Sequence, residues 1–224
     1  MERLLTRWGK VLDKNCPLND YPRPQFKRDS FICLNGIWNY AIYGENKKFS
    51  GYQGEIVVPF SPEAILSGVE KLVQPTDTLY YQKLFNFTKT KSKVLLHFGA
   101  VDYKTKIWIN GNYVGEHIGG YSSFSFDISE YIICGSNTLV VYAEDDNRSG
   151  KQPIGKQSIT RHSQACSYTR TTGIWQTVWL EFVPQSHVTS YRVYPNVPDS
   201  NVRIDTFVKG DGVVSYKVYY KGKE

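Results

Sequence analysis

Nowhere does the chain approach the roughly 20 consecutive apolar residues that a membrane-spanning helix requires. Its opening, MERLLTRWGKVLDK, also lacks the apolar core of a secretory leader, so the expectation is a cytoplasmic protein with no membrane partner. Cysteine is scarce. Cys16, Cys33, Cys134 and Cys166 lie far apart without a CxxC pair, and they read as reduced, mostly buried small side chains rather than a disulfide framework. His97 and His162 have no His or Cys neighbour at metal-ligand spacing, so neither a metal nor a cofactor is expected. A concentrated positive patch is missing as well. The formal net charge of +6 and pI near 9.0 raise the question of nucleic acid. The basic residues are scattered, however, and the densest spots, Lys47-Lys48 and Lys89 to Lys93, read as polar turns between strands, so no nucleic-acid partner is expected.

What the chain does have is aromatic and alternating. Aromatic residues make up 15% of it and hydrophobic residues 41%, which indicates a packed core and argues against disorder. The organising stretch is Trp108 to Ile128. Trp108 and Ile109 end a strand, Asn110-Gly111 is the commonest two-residue hairpin turn because both positions tolerate φ > 0, and Tyr113-Val114 begin the return. Gly119-Gly120 break that strand. Phe124, Phe126 and Ile128 then alternate with Ser123, Ser125 and Asp127 at the period of a half-buried strand. This stretch holds no nucleophile, metal cluster or phosphate loop, so its physics explains a fold rather than a reaction.

Upstream, residues 1–27 carry Pro17, Pro22 and Pro24 without a period, which predicts an extended arm on the surface. The core is expected to begin around Trp38. Strands follow at Glu55 to Pro59, Leu79 to Phe87, Lys93 to Phe98 and Val101 to Ile109, with a helical turn between Pro62 and Glu70. Asp127 to Ile133, with Ser129 as the capping residue, predicts one turn of helix, and Thr138 to Ala143 a buried strand. Many short strands with Gly and Asn turns are the signature of an antiparallel sandwich or barrel. Glu144 to Arg170 interrupts this with a long polar loop, a feature that is often functional. Gly173 to Phe182 reads as one long alternating strand, and the alternation of Trp38, Trp108, Trp175 and Trp179 favours core positions over a sugar platform. Three shorter strands after Val188 amount to half of an immunoglobulin-like sandwich, leaving Tyr216, Val218 and Tyr220 on an open edge.

Three segments carry a family resemblance: HFGAVDYKTKIWINGNYVGEHIGGYSSFSFDIS (His97 to Ser129), GSNTLVVYAEDD (Gly135 to Asp146) and SYTRTTGIWQTVWLEFVP (Ser167 to Pro184). They resemble the N-terminal sugar-binding domain of family 2 glycoside hydrolases, the β-galactosidases, β-glucuronidases and β-mannosidases. The resemblance implies an all-β fold: a galactose-binding-like jelly-roll sandwich over 28–183, then part of an immunoglobulin-like sandwich over 184–224, with 1–27 as the arm. It also implies a (β/α)8 barrel elsewhere in the parent protein, holding two carboxylates about 5–5.5 Å apart for retaining hydrolysis of O-glycosyl bonds. In the family these come from the barrel, typically with an Asn-Glu dipeptide, which this sequence lacks. No catalytic residue is therefore expected here, and the implied partners are a β-glycoside substrate, the parent's own barrel and a further copy of the chain. The alternative is a stand-alone carbohydrate-binding module; a structural adhesion-type sandwich is a third reading.

Galactosidase and glucuronidase members place an acid six positions before the glycine of the Gly-Ile pair, where it reaches the sugar. Here that position is Ser167. Tyr168 and Arg170 are the substitutes, since a ring stacks on a sugar and a guanidinium donates to hydroxyls or a carboxylate; the competing reading packs Tyr168 in the core and pairs Arg170 with an acid. Asp146 and Arg148, with Asp145, lie where the long loop departs, either facing substrate or fixing the loop through ion pairs. Two adjacent acids fall short of a calcium loop. Lys156-Gln157 is read as ordering the loop, and Trp8 as an interface residue.

Overall fold

The computed structural model describes residues 5–28, 30–88, 90–158, 160 and 162–219. Lys89, Tyr220 and the first four residues of the arm, named above, lie outside them. Two antiparallel sheets face each other. One has the order β1 (Phe31–Cys33), β12 (Val178–Val183), β5 (Lys93–Phe98), β9 (Phe124–Asp127). The other runs β3 (Gly54–Val58), β2 (Gly36–Tyr43), β4 (Thr78–Phe87), β10 (Gly135–Glu144), β7 (Lys104–Ile109), β8 (Asn112–Ile118).

The period of two explains the layering. Leu79, Tyr81, Phe85 and Phe87 of β4 and Leu139, Val141 and Ala143 of β10 are buried, and they pack on Val94, Leu96 and Phe98 of β5 and Val178 and Leu180 of β12. Each such side chain contributes on the order of 1.5–3 kcal/mol. Trp38 sits among them with its indole N–H donated to Leu34 O at 2.7 Å, so its single polar atom is satisfied. The fold is the all-β jelly-roll sandwich.

The hairpin forms as the sequence predicts, with φ of 51° at Asn110 and 82° at Gly111. Asn110 does more than turn: its Nδ2 donates to Asn137 Oδ1 at 2.8 Å and its Oδ1 accepts from Thr138 N, pinning the turn to β10.

Several expectations are corrected. The strand read over 173–182 is broken into β11 (Gly173–Ile174) and β12, because Trp175 N donates to Ala100 O and Thr177 O accepts from Gly99 N as the chain steps between sheets. The strand from Val101 is likewise split into β6 (Val101–Asp102) and β7, and β6 pairs with β11 as a two-stranded ribbon. Residues 127–133 form no helix; Ser129 N and Oγ both donate to Asp127 Oδ1, and Ser129 Oγ accepts from Val94 N. The arm contains one helical turn, α1 (Arg7–Lys10), capped by Thr6 Oγ1.

β13 (His187–Asn196) and β14 (Asn201–Lys209) make a hairpin, but the third C-terminal strand is not formed among the described residues: 211–219 have no ladder partner, and Tyr216 and Val218 are exposed. All four cysteines are free, and Cys16, Cys134 and Cys166 are exposed rather than buried. Among the described residues no helix is long and apolar enough to cross a membrane.

Candidate functional site

Register brings several strand ends together. Glu144 at the end of β10 pairs with Lys104 at the start of β7, and Lys104 with Ile118 at the end of β8, so the loops after β8 and β10 leave from one end of the sandwich. β6 and β11 close the same end. The long loop emerges here, and it is pinned from below.

The pin is Gln157. Its Nε2 donates to Asp102 Oδ2 at 2.7 Å and to Tyr121 OH at 2.9 Å, while its Oε1 accepts from Thr171 N at 2.8 Å, so one buried amide joins β6, the turn after β8 and the approach to β11. Gly120 makes room: a β-carbon there would overlap the Asp102 carboxyl group, and its carbonyl accepts from Trp175 Nε1 at 2.8 Å. Asp145 is a second anchor, accepting from Gln152 Nε2 and from Thr172 Oγ1 at 3.3 Å. Glu63 is a third, accepting from Val73 N and Thr172 N.

These carboxyl groups share one electrostatic problem. Burial, and then the nearby Asp145, push Asp102 up to about 7; burial also raises Glu63 to about 7. Asp145 is raised by burial too, against the lowering effect of its hydrogen bonds and of Arg170. The loop is thus held by carboxyl groups whose ionisation burial makes harder. Among the described residues no group of three or more His, Cys, Asp and Glu is arranged to hold a metal.

On this frame Tyr168 is exposed on the returning stretch of the loop, its backbone bridged to Lys156 and Ser158 beside Gln157. Its hydroxyl would lie 3.5 Å from a β-carbon at Gly155. Ser167 closes a tight turn with Gln164. Arg170 is buried and its Nη1 donates to Asn147 Oδ1 at 3.4 Å, inside the loop rather than on its face. Asp146 and Arg148 are both exposed, with Asp146 Oδ1 accepting from Ser149 N. Tyr168 and Arg170 are therefore neighbours in sequence but face different surroundings. Asp102 and Gln157 hold the site together, and sequence reasoning singled out only the latter. The signal for Asp102 was the Gly119-Gly120 pair, which permits close approach of another element.

The tryptophans separate. Trp38 and Trp179 are buried as expected, whereas Trp108, beside Tyr113, and Trp175 are half-buried, a correction to their core assignment; Trp175 and Trp179 line a groove of ≈ 580 Å³ on the outer face of the four-stranded sheet. Beside Trp179, Glu181 is buried against Arg28 (Nε to Oε1, 2.5 Å), Tyr21 OH at 3.1 Å and His97, whose Nε2 lies 2.8 Å from Oε2. Burial opposes charge on Glu181, but His97 and Arg28 outweigh it and hold the carboxyl down at about 2. Trp8 is exposed, with the Arg7 guanidinium 4.2 Å from its ring centroid.

A jelly-roll sandwich carrying a pinned, tyrosine-bearing loop at one end is the class these features define. The profile of the glycosyl hydrolases family 2 sugar-binding domain matches residues 67–184, more than half of the chain, and the chain belongs to that family. It is 31% identical over 144 residues to a β-galactosidase of Thermoanaerobacter pseudethanolicus, covering 62% of this chain and 19% of that protein. A putative β-glucuronidase of Formosa agariphila is 29% identical over 128 residues, covering 56% and 14%. The chain thus spans about a fifth or less of the length of these curated relatives. In structure it superposes on a β-glucuronidase of Faecalibacterium prausnitzii with a TM-score of 0.61 at 20% identity, over 85% of this chain and 37% of that one, and on one of Ruminococcus gnavus with 0.64 at 17%, over 83% and 35%.

Proposed function

We propose that the chain is the N-terminal, sugar-facing part of a retaining β-glycosidase of the β-galactosidase type, and that it shapes one wall of an active site whose catalytic carboxylates come from a barrel beyond it. The observation that carries this is the pinned loop. A buried amide and three buried carboxyl groups hold it, while Tyr168 stands exposed as a ring for a sugar to stack on. Asp146 and Arg148, also exposed, are assigned to hydroxyl contacts, and Arg170 to fixing the loop through Asn147. The small fraction of the relatives' length supports a parent protein with further domains. In that protein 28–183 is the jelly roll, 1–27 the arm, and 184–224 the start of an immunoglobulin-like unit that β13 and β14 begin. Its partners are a β-glycoside and its own barrel, and the exposed edge at Tyr216 and Val218 suits either continuation or a second copy. The exposed free thiols suit a reducing, cytoplasmic setting.

The test is an assay of the purified 224-residue chain with nitrophenyl β-galactoside and β-glucuronide, together with the reading frame beyond Glu224. No turnover and a following barrel with paired glutamates are expected. Turnover by the chain alone, or a stop codon directly after it, overturns the proposal and in the second case favours a free-standing binding module.

A further inference from the structure

The arm and the end of β1 bring two cysteines to one spot. Cys16 lies in a tight turn, its N–H donated to Asp13 O at 3.3 Å, and the residues around it are laid one after another against 33–36. A β-carbon at Gly36 would overlap Asn15 O, Asn35 Nδ2 donates to Pro17 O at 3.0 Å and to Leu18 O at 3.4 Å, and Cys33 Sγ donates to Leu18 O at 3.9 Å. Cys16 is therefore bracketed on both sides by contacts to the segment that carries Cys33. Both thiols are free.

The two sulfurs differ in access. Cys16 is exposed, so a small reagent reaches it, whereas Cys33 is half-buried; burial raises its thiol, the Asn35 amide opposes this, and the neighbouring Cys16 raises it further. A cation stands by both. Lys83 of β4 is half-buried and its Nζ donates to Ile37 O at 2.9 Å; burial lowers its ammonium, while Cys33 and Cys16 act the other way. The interaction is mutual, so the ammonium favours a thiolate on either sulfur, and the thiolate is the form that attacks a disulfide.

We propose that Cys16 and Cys33 are a redox-modification site, a dithiol that a low-molecular-weight disulfide such as oxidised glutathione converts to a disulfide bond clamping the arm to β1. The Cys16 thiolate attacks one sulfur of the reagent and expels a glutathione thiolate. The Cys33 thiolate then attacks the Cys16 sulfur, closes the protein bond and expels the second glutathione. Two protein thiols thus give up two protons and two electrons, and one small disulfide becomes two small thiols; excess glutathione runs the exchange backwards. The clamp falls on a junction, because Asn35 also donates to Thr177 Oγ1 at 3.2 Å and accepts from Val178 N at 3.0 Å, joining the arm to the start of β12. The inference draws on neither the long loop nor the sugar wall.

The experiment incubates the 224-residue chain, folded, with about 5 mM oxidised glutathione at pH ~8, followed by alkylation, tryptic digestion without reduction and mass spectrometry, alongside Cys16→Ser and Cys33→Ser. The peptide 15–27 joined to 29–47 is expected as the main product of these two cysteines, at least about tenfold more abundant than chain carrying glutathione on Cys16. Cys134 and Cys166, exposed elsewhere on the chain, are the reference for single thiols. The Tm of the bridged chain is expected to rise by about 5 °C and to fall back with dithiothreitol, and Cys16→Ser treated alike to show no rise. Cys33→Ser is expected to stop with glutathione on Cys16. Lasting glutathione on Cys16 of the unaltered chain, survival of both thiols, joining of either to Cys134, Cys166 or a second copy, or a bridged chain with unchanged Tm each overturns the inference. The unaltered chain carries the decisive result, so a variant that fails to fold does not leave it undecided. None of these results bears on turnover, and a failure here leaves the glycosidase reading standing.

Discussion

Asp102 and Glu181 are each 1% exposed, yet the structure shifts their titration in opposite directions. Burial, with Asp145 and Glu63 nearby, pushes the Asp102 carboxyl up to about 7, although the neutral amide it receives from Gln157 pulls the other way. Glu181 meets Arg28 and His97 and is held at about 2. Burial is common to both, so burial does not decide. The partners do, and they divide the labour: the cluster of raised carboxyls pins the loop, while the ion-paired one fastens the arm and the start of β13 to the sheet, since Arg28 and Arg23 also donate to Val188 O and Thr189 O.

The largest effect is expected at the charged pole. Glu181→Ala leaves the half-buried Arg28 without its carboxylate and is expected to cost about 3 kcal/mol in urea unfolding; a loss below about 0.5 kcal/mol would reduce the pair to a surface interaction. At the neutral pole, Gly120→Ala forces a methyl into Asp102 and is expected to cost about 2 kcal/mol, with faster proteolysis within the 144–172 loop. An unchanged cleavage rate would separate Asp102 from loop order.

The pH dependence sharpens the contrast because the signs differ. Asp102 is raised from an ordinary 3.8 to about 7, so its contribution is complete below pH ~4 and is lost as pH rises through ~7. Glu181 is lowered from 4.5 to about 2, so its contribution is complete above pH ~4.5 and is lost as pH falls toward ~2. Asp102→Asn is expected to flatten the neutral limb of a Tm against pH curve by about half, since Glu63 titrates alongside at about 7, and Glu181→Gln to flatten the acid limb alone. The smallest effect is at Tyr168→Ala, where an exposed ring predicts a stability change within about 0.5 kcal/mol.

The sandwich was legible because its strands alternate on a visible period, as in β4 and β10, and because Asn110-Gly111 admits few other conformations. The break at Trp175 to Thr177 was not, since the alternation runs straight through it and only the distant Gly99 and Ala100 impose the step. The third C-terminal strand was overread for a related reason: an alternating pattern specifies a face, not a partner, and 211–219 have no ladder partner. In the site, the exposed loop and Tyr168 could be found by eye. Asp102 was not, because Gln157 lies 55 residues away, Val-Asp-Tyr looks like any strand, and Gly119-Gly120 signals a close approach without naming what approaches. Glu181 was hidden in the same way, as an outward position of WLEFV that becomes buried only when the arm carrying Arg23 and Arg28 folds over it.

Carboxyl 13C chemical shifts of Asp102 and Glu181, followed from pH ~2 to ~9, test most directly whether partners rather than burial set the two poles. Midpoints at about 7 for Asp102 and about 2 for Glu181 are expected. Two midpoints together near the ordinary carboxylate value of about 4 would contradict it.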